Sequence, residues 1–395
     1  MGLDSREATP CLVRRIAYAA AETRSDERAS IVLKQIGGNQ VSDSTVARIV
    51  LQLGTELARV RDHAPEGQTL TQSPAAPPDL AVVQCDGGRI RTREAGRGLG
   101  VHGAAWRETK NACLLRMTHQ TSAEDPQPEL PAAFCDPGHV AEIAEMAAPP
   151  PLAELATTEP DPPTAKPWRP KRLVRTCLSS LADSDTFGEQ MQREASGRRF
   201  FEAKARAFLG DGLPWNWSIW KRHFKKFIPI LDFIHVLAYL YAAALTMHHD
   251  FNVAWACYLE MARDCWQGRV AEVIHRLQAW LVEQGVSDDV KLDEKDPRTA
   301  VSDAARYLTN NQSRMDYPRY RRLGLPVTTA LMESLVKQIN YRVKGTEMFW
   351  NDPDGAEAIL QVRAAALCDD GRLETYLATR PGCPYVRRSS LATAA

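Results

Sequence analysis

Three carboxylates stand far apart in this chain, each in a setting that could present it rigidly. They are Asp86 in Val82-Val-Gln-Cys-Asp86-Gly-Gly, Asp211 in Phe208-Leu-Gly-Asp211-Gly-Leu-Pro and Glu333 in Leu331-Met-Glu333-Ser. The first two follow short apolar runs that read as strands and precede a glycine, whereas the third lies in an amphipathic helical stretch. Two strand-end aspartates and a helical glutamate are suited to hold paired metal ions for cutting and joining phosphodiesters. That chemistry needs clustered oxygen ligands and no protein nucleophile. Magnesium keeps several of its waters, so three protein carboxylates suffice. A lone Asp-Gly is more often a turn, and spacing alone does not bring the three acids together.

With 395 residues, 44% of them hydrophobic, the chain can bury one large core or form two to three domains. Its formal charge is zero, so net charge does not announce a nucleic-acid partner, yet the basic residues are grouped. Lys166 to Arg175 holds one group and Lys221 to Lys226 a second. Arg314, Arg319, Arg321, Arg322, Lys337, Arg342 and Lys344 surround Glu333. Such groups serve either as phosphate contacts or as solvated surface. The nine cysteines show no Cys-x-x-Cys pair, and no apolar leader precedes them, which fits reduced thiols in a cytoplasmic protein. The most apolar run, Phe233 to Met247, is shorter than the roughly 20 residues of a membrane span and contains His235. It reads as a buried helix, with no membrane partner.

The elements that must position these acids follow from periodicity. Residues 1–62 read as helical, with helices over Leu12–Ala21 and Glu27–Ile36, a break at Gly37-Gly38, and Ser42 as N-cap of a third. Ser44, Thr45 and Arg48 on that third helix suggest a DNA-reading helix-turn-helix, and an ordinary helical hairpin gives the same spacing. Residues 63–78 read as a linker. A strand over Leu80–Cys85, a hairpin partner over Arg89–Arg93 across Gly87-Gly88, and a third strand over Ala105–Met117 follow. Residues 119–170 are rich in proline and are expected as a flexible insertion with a helical patch near Val140 to Met146. From Leu173 the pattern is helical up to a strand over Ala205–Gly210. Ile228–Leu231 is a further strand, 236–315 a helical block, 316–380 the segment carrying Glu333, and 381–395 a tail. The fold class expected is α/β. Trp215, Trp217 and Trp220 either stack on an unpaired base or, as aromatic residues after a strand usually do, pack in the core.

Several segments together resemble the ISKra-type DDE transposases of bacterial insertion sequences. They are Val82 to Glu94, Trp106-Arg-Glu108-Thr-Lys110, Leu209-Gly-Asp211-Gly-Leu-Pro-Trp-Asn-Trp217 and Ile230-Leu-Asp232-Phe-Ile-His235. The last runs from Tyr317-Pro through Glu333-Ser334 and Arg342-Val-Lys344 to Phe349-Trp350. The resemblance covers roughly residues 20–118 and 170–378. It implies a ribonuclease H-like core, split over 79–118, 171–235 and 316–380, with a helical insertion at 236–315 and the helix-turn-helix region ahead of it. Asp86, Asp211 and Glu333 would then be the catalytic triad holding two Mg2+ ions, for which Mn2+ may substitute. Asp232 and His235, three apart on one helical face, would support them. Arg319, Arg321, Arg322, Lys337, Arg342 and Lys344 would contact DNA.

The implied activity is binding of terminal repeats, hydrolysis at the transposon end and attack of the freed 3′-hydroxyl on target DNA. The implied partners are double-stranded DNA at transposon ends and target, with a homodimer or larger assembly on it in the nucleoid. Two departures stand out. The group commonly carries a cysteine-rich zinc ribbon ahead of the helix-turn-helix, which suggests an upstream segment or a misplaced start before Gly2-Leu-Asp4. Where many relatives have Gly-Ser-Gly before the glutamate, this chain has Val327-Thr-Thr-Ala330. A truncated or domesticated DNA-binding relative, and a nuclease of the same fold without strand transfer, are the alternatives.

Overall fold

Strand β1 (Leu80–Thr92) is the axis of the fold, and Leu80 to Cys85 are buried on both of its faces. The chain, a computed structural model, is described over residues 8–63, 74–92, 105–147, 167–286, 292–293, 295–344, 349–350 and 352–380. Most of the expected linker at 63–78, residues 148–166 of the expected insertion, and the 381–395 tail lie outside the described residues, as do Gly2 to Asp4. β1 pairs antiparallel with β2 (Ala105–Met117), which pairs antiparallel with β3 (Arg172–Ser180). On its other edge β1 pairs parallel with β4 (Ala205–Gly210), and β4 with β5 (Ile228–Leu231). The result is one mixed sheet of order β3-β2-β1-β4-β5.

Two expectations fail here for local reasons. Gly87-Gly88 is no hairpin turn, since β1 runs straight through it to Thr92 and stays paired with β2. Neither glycine takes the positive φ that a two-residue hairpin turn demands. Gly88 serves a close approach instead, because a Cβ there would stand 2.5 Å from Thr109 Oγ1. Residues 172–180, expected as helix, form the edge strand β3, where pairing with β2 overrides a weak helical pattern. The helix begins only at α5 (Ser184–Gly197), whose N-cap Asp183 accepts from Thr186 N.

Helices cover both faces. On one lie α5 and α6 (Pro214–His223), whose Phe187, Met191 and Ile219 meet Ala81, Val83 and Phe208. Trp215, Trp217 and Trp220 pack against this layer, so they belong to the core. The opposite face, with Val82, Leu115, Leu209 and Ile230, is covered by the larger helical set. That set begins with α1 (Pro10–Glu22), α2 (Asp26–Gln35) and α3 (Asp43–His63), the first two capped by Thr9 and Ser25. The block after β5 forms α7 (Phe233–Met247), α8 (Phe251–Trp266), α9 (Val270–Glu283) and α10 (Thr299–Asn311). Then come α11 (Tyr317–Arg322), α12 (Ala330–Val343), α13 (Pro353–Ala366) and α14 (Arg372–Thr379). Among the described residues no helix is long and apolar enough to cross a membrane.

Residues 119–147, expected as flexible, are packed and carry a short helix, α4 (Pro137–Ile143). Phe134 lies 5.8 Å from the Phe233 ring, the Trp266 indole donates to the Gln127 carbonyl at 2.9 Å, and Arg321 pairs with Asp125. Proline-rich composition signals a lack of regular structure, but these anchors fix the path regardless. The first three helices likewise join the rest of the fold. α3 crosses α13 at Gly54, where an added Cβ would overlap the backbone of Ala358.

A Gly54→Leu variant should therefore force α3 and α13 apart and cost about 1–3 kcal/mol. Gly355→Ala on α13, which faces open space, should leave the melting temperature unchanged or slightly higher. Denaturant unfolding of both variants checks the contrast.

Candidate metal centre

The register of the parallel strands sets out the site. Cys85 lies opposite Gly210, and Gly210 opposite Leu231. The residues that follow are Asp86, Asp211 and Asp232, and the Asp232 N–H donates to the Gly210 carbonyl at 2.9 Å, extending the ladder by one step. Adjacent strands lie about 4.8 Å apart, so three aspartates stand abreast, Asp211 and Asp232 just past the ends of β4 and β5 and Asp86 within β1 where its pairing with β4 stops.

Each aspartate is held. Asp86 Oδ1 accepts from the Gly87 N–H at 2.6 Å. Asp211 Oδ1 accepts from the Leu213 N–H at 2.9 Å and from the Asn216 amide. Asn216 is itself buried and takes a hydrogen bond from the Cys85 thiol at 3.3 Å, which ties β1 and α6 together beneath the row. The main-chain carbonyl of Asp211 accepts from the Tyr307 hydroxyl at 2.7 Å, and the Tyr307 ring stacks on Tyr239 at 4.0 Å. Asp232, wholly buried, accepts from the Thr329 N–H at 2.8 Å and meets His235 Nδ1 at 2.7 Å.

Glu333, in the first turn of α12, comes to the Asp232 end of the row, and Asp86 and Asp211 are not in the group of ligand atoms that it forms. Its carboxylate, that of Asp232 and the His235 ring offer ligand atoms within 4.8 Å of one another. The structure thus places Asp232 and His235, expected as supporting residues, directly beside Glu333. Asn216, Tyr307 and Thr329 escaped the sequence reading, because nothing in their spacing marks them as partners of the aspartates.

The charges explain why such a set asks for a cation. Burial, then the neighbouring charge of Asp211, pushes Asp86 from the ordinary 3.8 up to about 7. Burial also raises Asp211, while Glu333 is raised by burial and then by Asp232. Burial works against a charged His235, yet its hydrogen bond to Asp232 and the charges of Asp232, Asp211 and Asp86 prevail and lift it to about 9. An oxygen-rich set with mutually repelling carboxylates and one imidazole is suited to hold a divalent cation.

The basic residues divide in two. Arg48 on α3, Arg319 and Arg322 on α11, and Lys337 and Lys344 on and after α12 are exposed. Ser44 and Thr45 hydrogen-bond Ser42 at 3.0 and 2.9 Å, securing the start of α3. Arg321 and Arg342, expected as DNA contacts, are internal. Arg321 pairs with Asp125 and lies 4.1 Å over Trp266. Arg342 donates to the Ala20 carbonyl at 2.8 Å and pairs with Asp26 at 2.7 Å. A run of arginines in sequence does not show which guanidinium turns inward to satisfy helix-end carbonyls.

No family model matches this chain, and no curated protein does. Among solved structures it is similar to the Drosophila P element transposase strand transfer complex over 93% of this chain and 92% of that chain, at 10% identity and a TM-score of 0.32.

Two outcomes follow from the electrostatics. A carboxyl raised from 3.8 to about 7 binds its proton more tightly folded than unfolded, so metal-free stability should fall as pH rises through that window. His235, raised from 6.5 to about 9, continues the fall to that pH. Asp86→Asn should flatten the lower part of the curve and raise the metal-free melting temperature at pH 8. Mg2+ or Mn2+ should stabilise the wild type, by about 2.7 kcal/mol at a hundredfold excess over the dissociation constant. Asp86→Asn should lose most of that gain, and calorimetric melting across pH with and without ions checks both.

Proposed function

We propose that this chain is a DNA transposase with a ribonuclease H-like core, which binds the terminal repeats of an insertion sequence and cuts and joins DNA at the Asp86, Asp211 and Glu333 site. The observation that carries the reading is the row of Asp86, Asp211 and Asp232 across three adjacent parallel strands, with Glu333 brought by α12 to its Asp232 end. A sheet with three antiparallel strands followed by two parallel ones, and acids on the first and fourth, supports the core assignment.

Two Mg2+ ions bound there, or Mn2+ in their place, would activate the attacking oxygen and stabilise the leaving one. In this reading Asp86 and Asp211 hold the ions from the sheet and Glu333 holds one of them from the helix. Asp232 and His235 lie against Glu333 and set its surroundings. Asn216 and Tyr307 keep Asp211 and its loop in place. The exposed Arg319, Arg322, Lys337 and Lys344 would take DNA phosphates, and Ser44, Thr45 and Arg48 the terminal repeat. Joining two ends to a target requires at least a dimer on DNA.

The test is magnesium-dependent cleavage and joining of DNA carrying the inverted repeats that flank the gene. The wild type should yield both cleaved and joined products. Glu333→Gln and Asp211→Asn should lose both while keeping DNA affinity nearly intact. Cleavage without joined product would identify a nuclease instead, and binding without cleavage by the wild type a DNA-occupying protein.

A further inference from the structure

The hydrogen bonds around Asp232 decide what His235 can offer. His235 Nδ1 meets Asp232 Oδ2 at 2.7 Å. The other oxygen, Oδ1, accepts from the Thr329 N–H at 2.8 Å and from the Ile234 N–H at 3.3 Å. Asp232 is 0% exposed, so both of its oxygens are spent inside the protein. A carboxylate fixed in this way also fixes the ring beside it. In the neutral imidazole Nδ1 keeps the proton that Asp232 accepts, and Nε2 presents its lone pair.

Two groups next to this pair are uncommitted. Among the described residues neither His235 Nε2 nor the Glu333 carboxylate makes a hydrogen bond. The His235 side chain is 35% exposed and Glu333 is half-buried, so both reach the open side of the site. A nitrogen of the ring, an oxygen of Glu333 and one of Asp232 lie within 4.8 Å of one another. Two ligand atoms bonded to one ion at about 2.1 Å stand no more than about 4.2 Å apart, so a small side-chain rotation is enough. The charge of His235 also acts on Asp86 and Asp211, which sets the ring within reach of all four carboxylates.

We propose that His235 Nε2 is a ligand of the divalent ion held by Glu333, with Asp232 positioning the ring, so that the site selects a transition-metal ion such as Mn2+ over Mg2+. Magnesium takes oxygen ligands and sheds its waters reluctantly. An imidazole nitrogen in the coordination sphere therefore favours the first-row transition ions. The inference rests on the proposed function, which puts an ion on Glu333. It changes the ligand set, which there consists of carboxylates alone.

The test is electron spin-echo modulation of Mn2+ bound at one equivalent to the full chain, which reports nitrogen bonded to the ion. The wild type should show coupling to one nitrogen, altered by 15N-histidine labelling, a measurement that requires no variant to fold. His235→Gln should lose the coupling and bind Mn2+ about tenfold more weakly, with a smaller loss for Mg2+. His139→Gln, at an exposed histidine whose charge also acts on Glu333, should change neither. No bound Mn2+, bound Mn2+ without nitrogen coupling, or coupling lost in His139→Gln instead would overturn the ligand assignment. Equal losses of Mn2+ and Mg2+ affinity in His235→Gln would overturn the selectivity. DNA cutting by the wild type, run alongside, separates the two proposals. Cutting without nitrogen coupling leaves the transposase reading standing and removes His235 from the ion, whereas coupling with no cutting of any DNA keeps the ligand and overturns that reading.

Discussion

The repulsion among carboxylates brought abreast at the sheet's edge is the constraint that the rest of the structure answers. Parallel pairing of β1, β4 and β5 in a single register puts Asp86, Asp211 and Asp232 in one row. Shifting any strand by one residue would send its acid to the opposite face. Without help, partly buried like charges at that spacing cost several kcal/mol, or are relieved by taking up protons. The structure instead surrounds them with donors: main-chain N–H groups of Gly87, Leu213, Ile234 and Thr329, the Asn216 amide, and the His235 ring. All but His235 are neutral, so the set orients the acids without cancelling their charge.

That orientation draws on every layer of the fold. Asn216 comes from the helix beyond β4, Tyr307 from the helical block after β5, and Thr329 from the loop into α12. Gly212 has a φ of 99°, and a Cβ there would meet the Tyr307 ring, so the turn after Asp211 and the insertion helix are fitted to each other. The insertion is thus a buttress for the second acid as well as a separate helical layer.

Much of this was legible in the residues. The strands that lead into Asp86, Asp211 and Asp232, the buried helix after Asp232 and the amphipathic stretch of Glu333 follow from hydrophobic period, because those segments bury their apolar faces in the ordinary way. The rest failed where tertiary contacts outweigh local pattern. Gly87-Gly88 looks like a turn until β2 side chains are seen to need the room. The segment after Pro131 looks loose until Phe134 is seen against Phe233. Arg321 and Arg342 read as surface cations, since a sequence does not show which carbonyls of distant helices await a donor. Asp232 was visible only through the resemblance, as a supporting residue three before His235. Its place in the row depends on register, which only the pairing of β4 with β5 reveals.

The helix that carries Glu333 is held at both ends, and the two anchors come from different parts of the chain. At its start, the Thr329 N–H is fixed on Asp232, so the first turn cannot move without disturbing the aspartate row. At its end, Arg342 is sunk among the Ala20 and Arg24 carbonyls and the Asp26 carboxylate, 2% exposed. Breaking such a buried pair typically costs about 3–5 kcal/mol, so the end of α12 is anchored on the first two helices. In the proposed function those helices belong to the region that grips the terminal repeat. A displacement at the DNA-gripping end would then reach Glu333 along a single helix of 14 residues and, through Thr329, Asp232 in the carboxylate row.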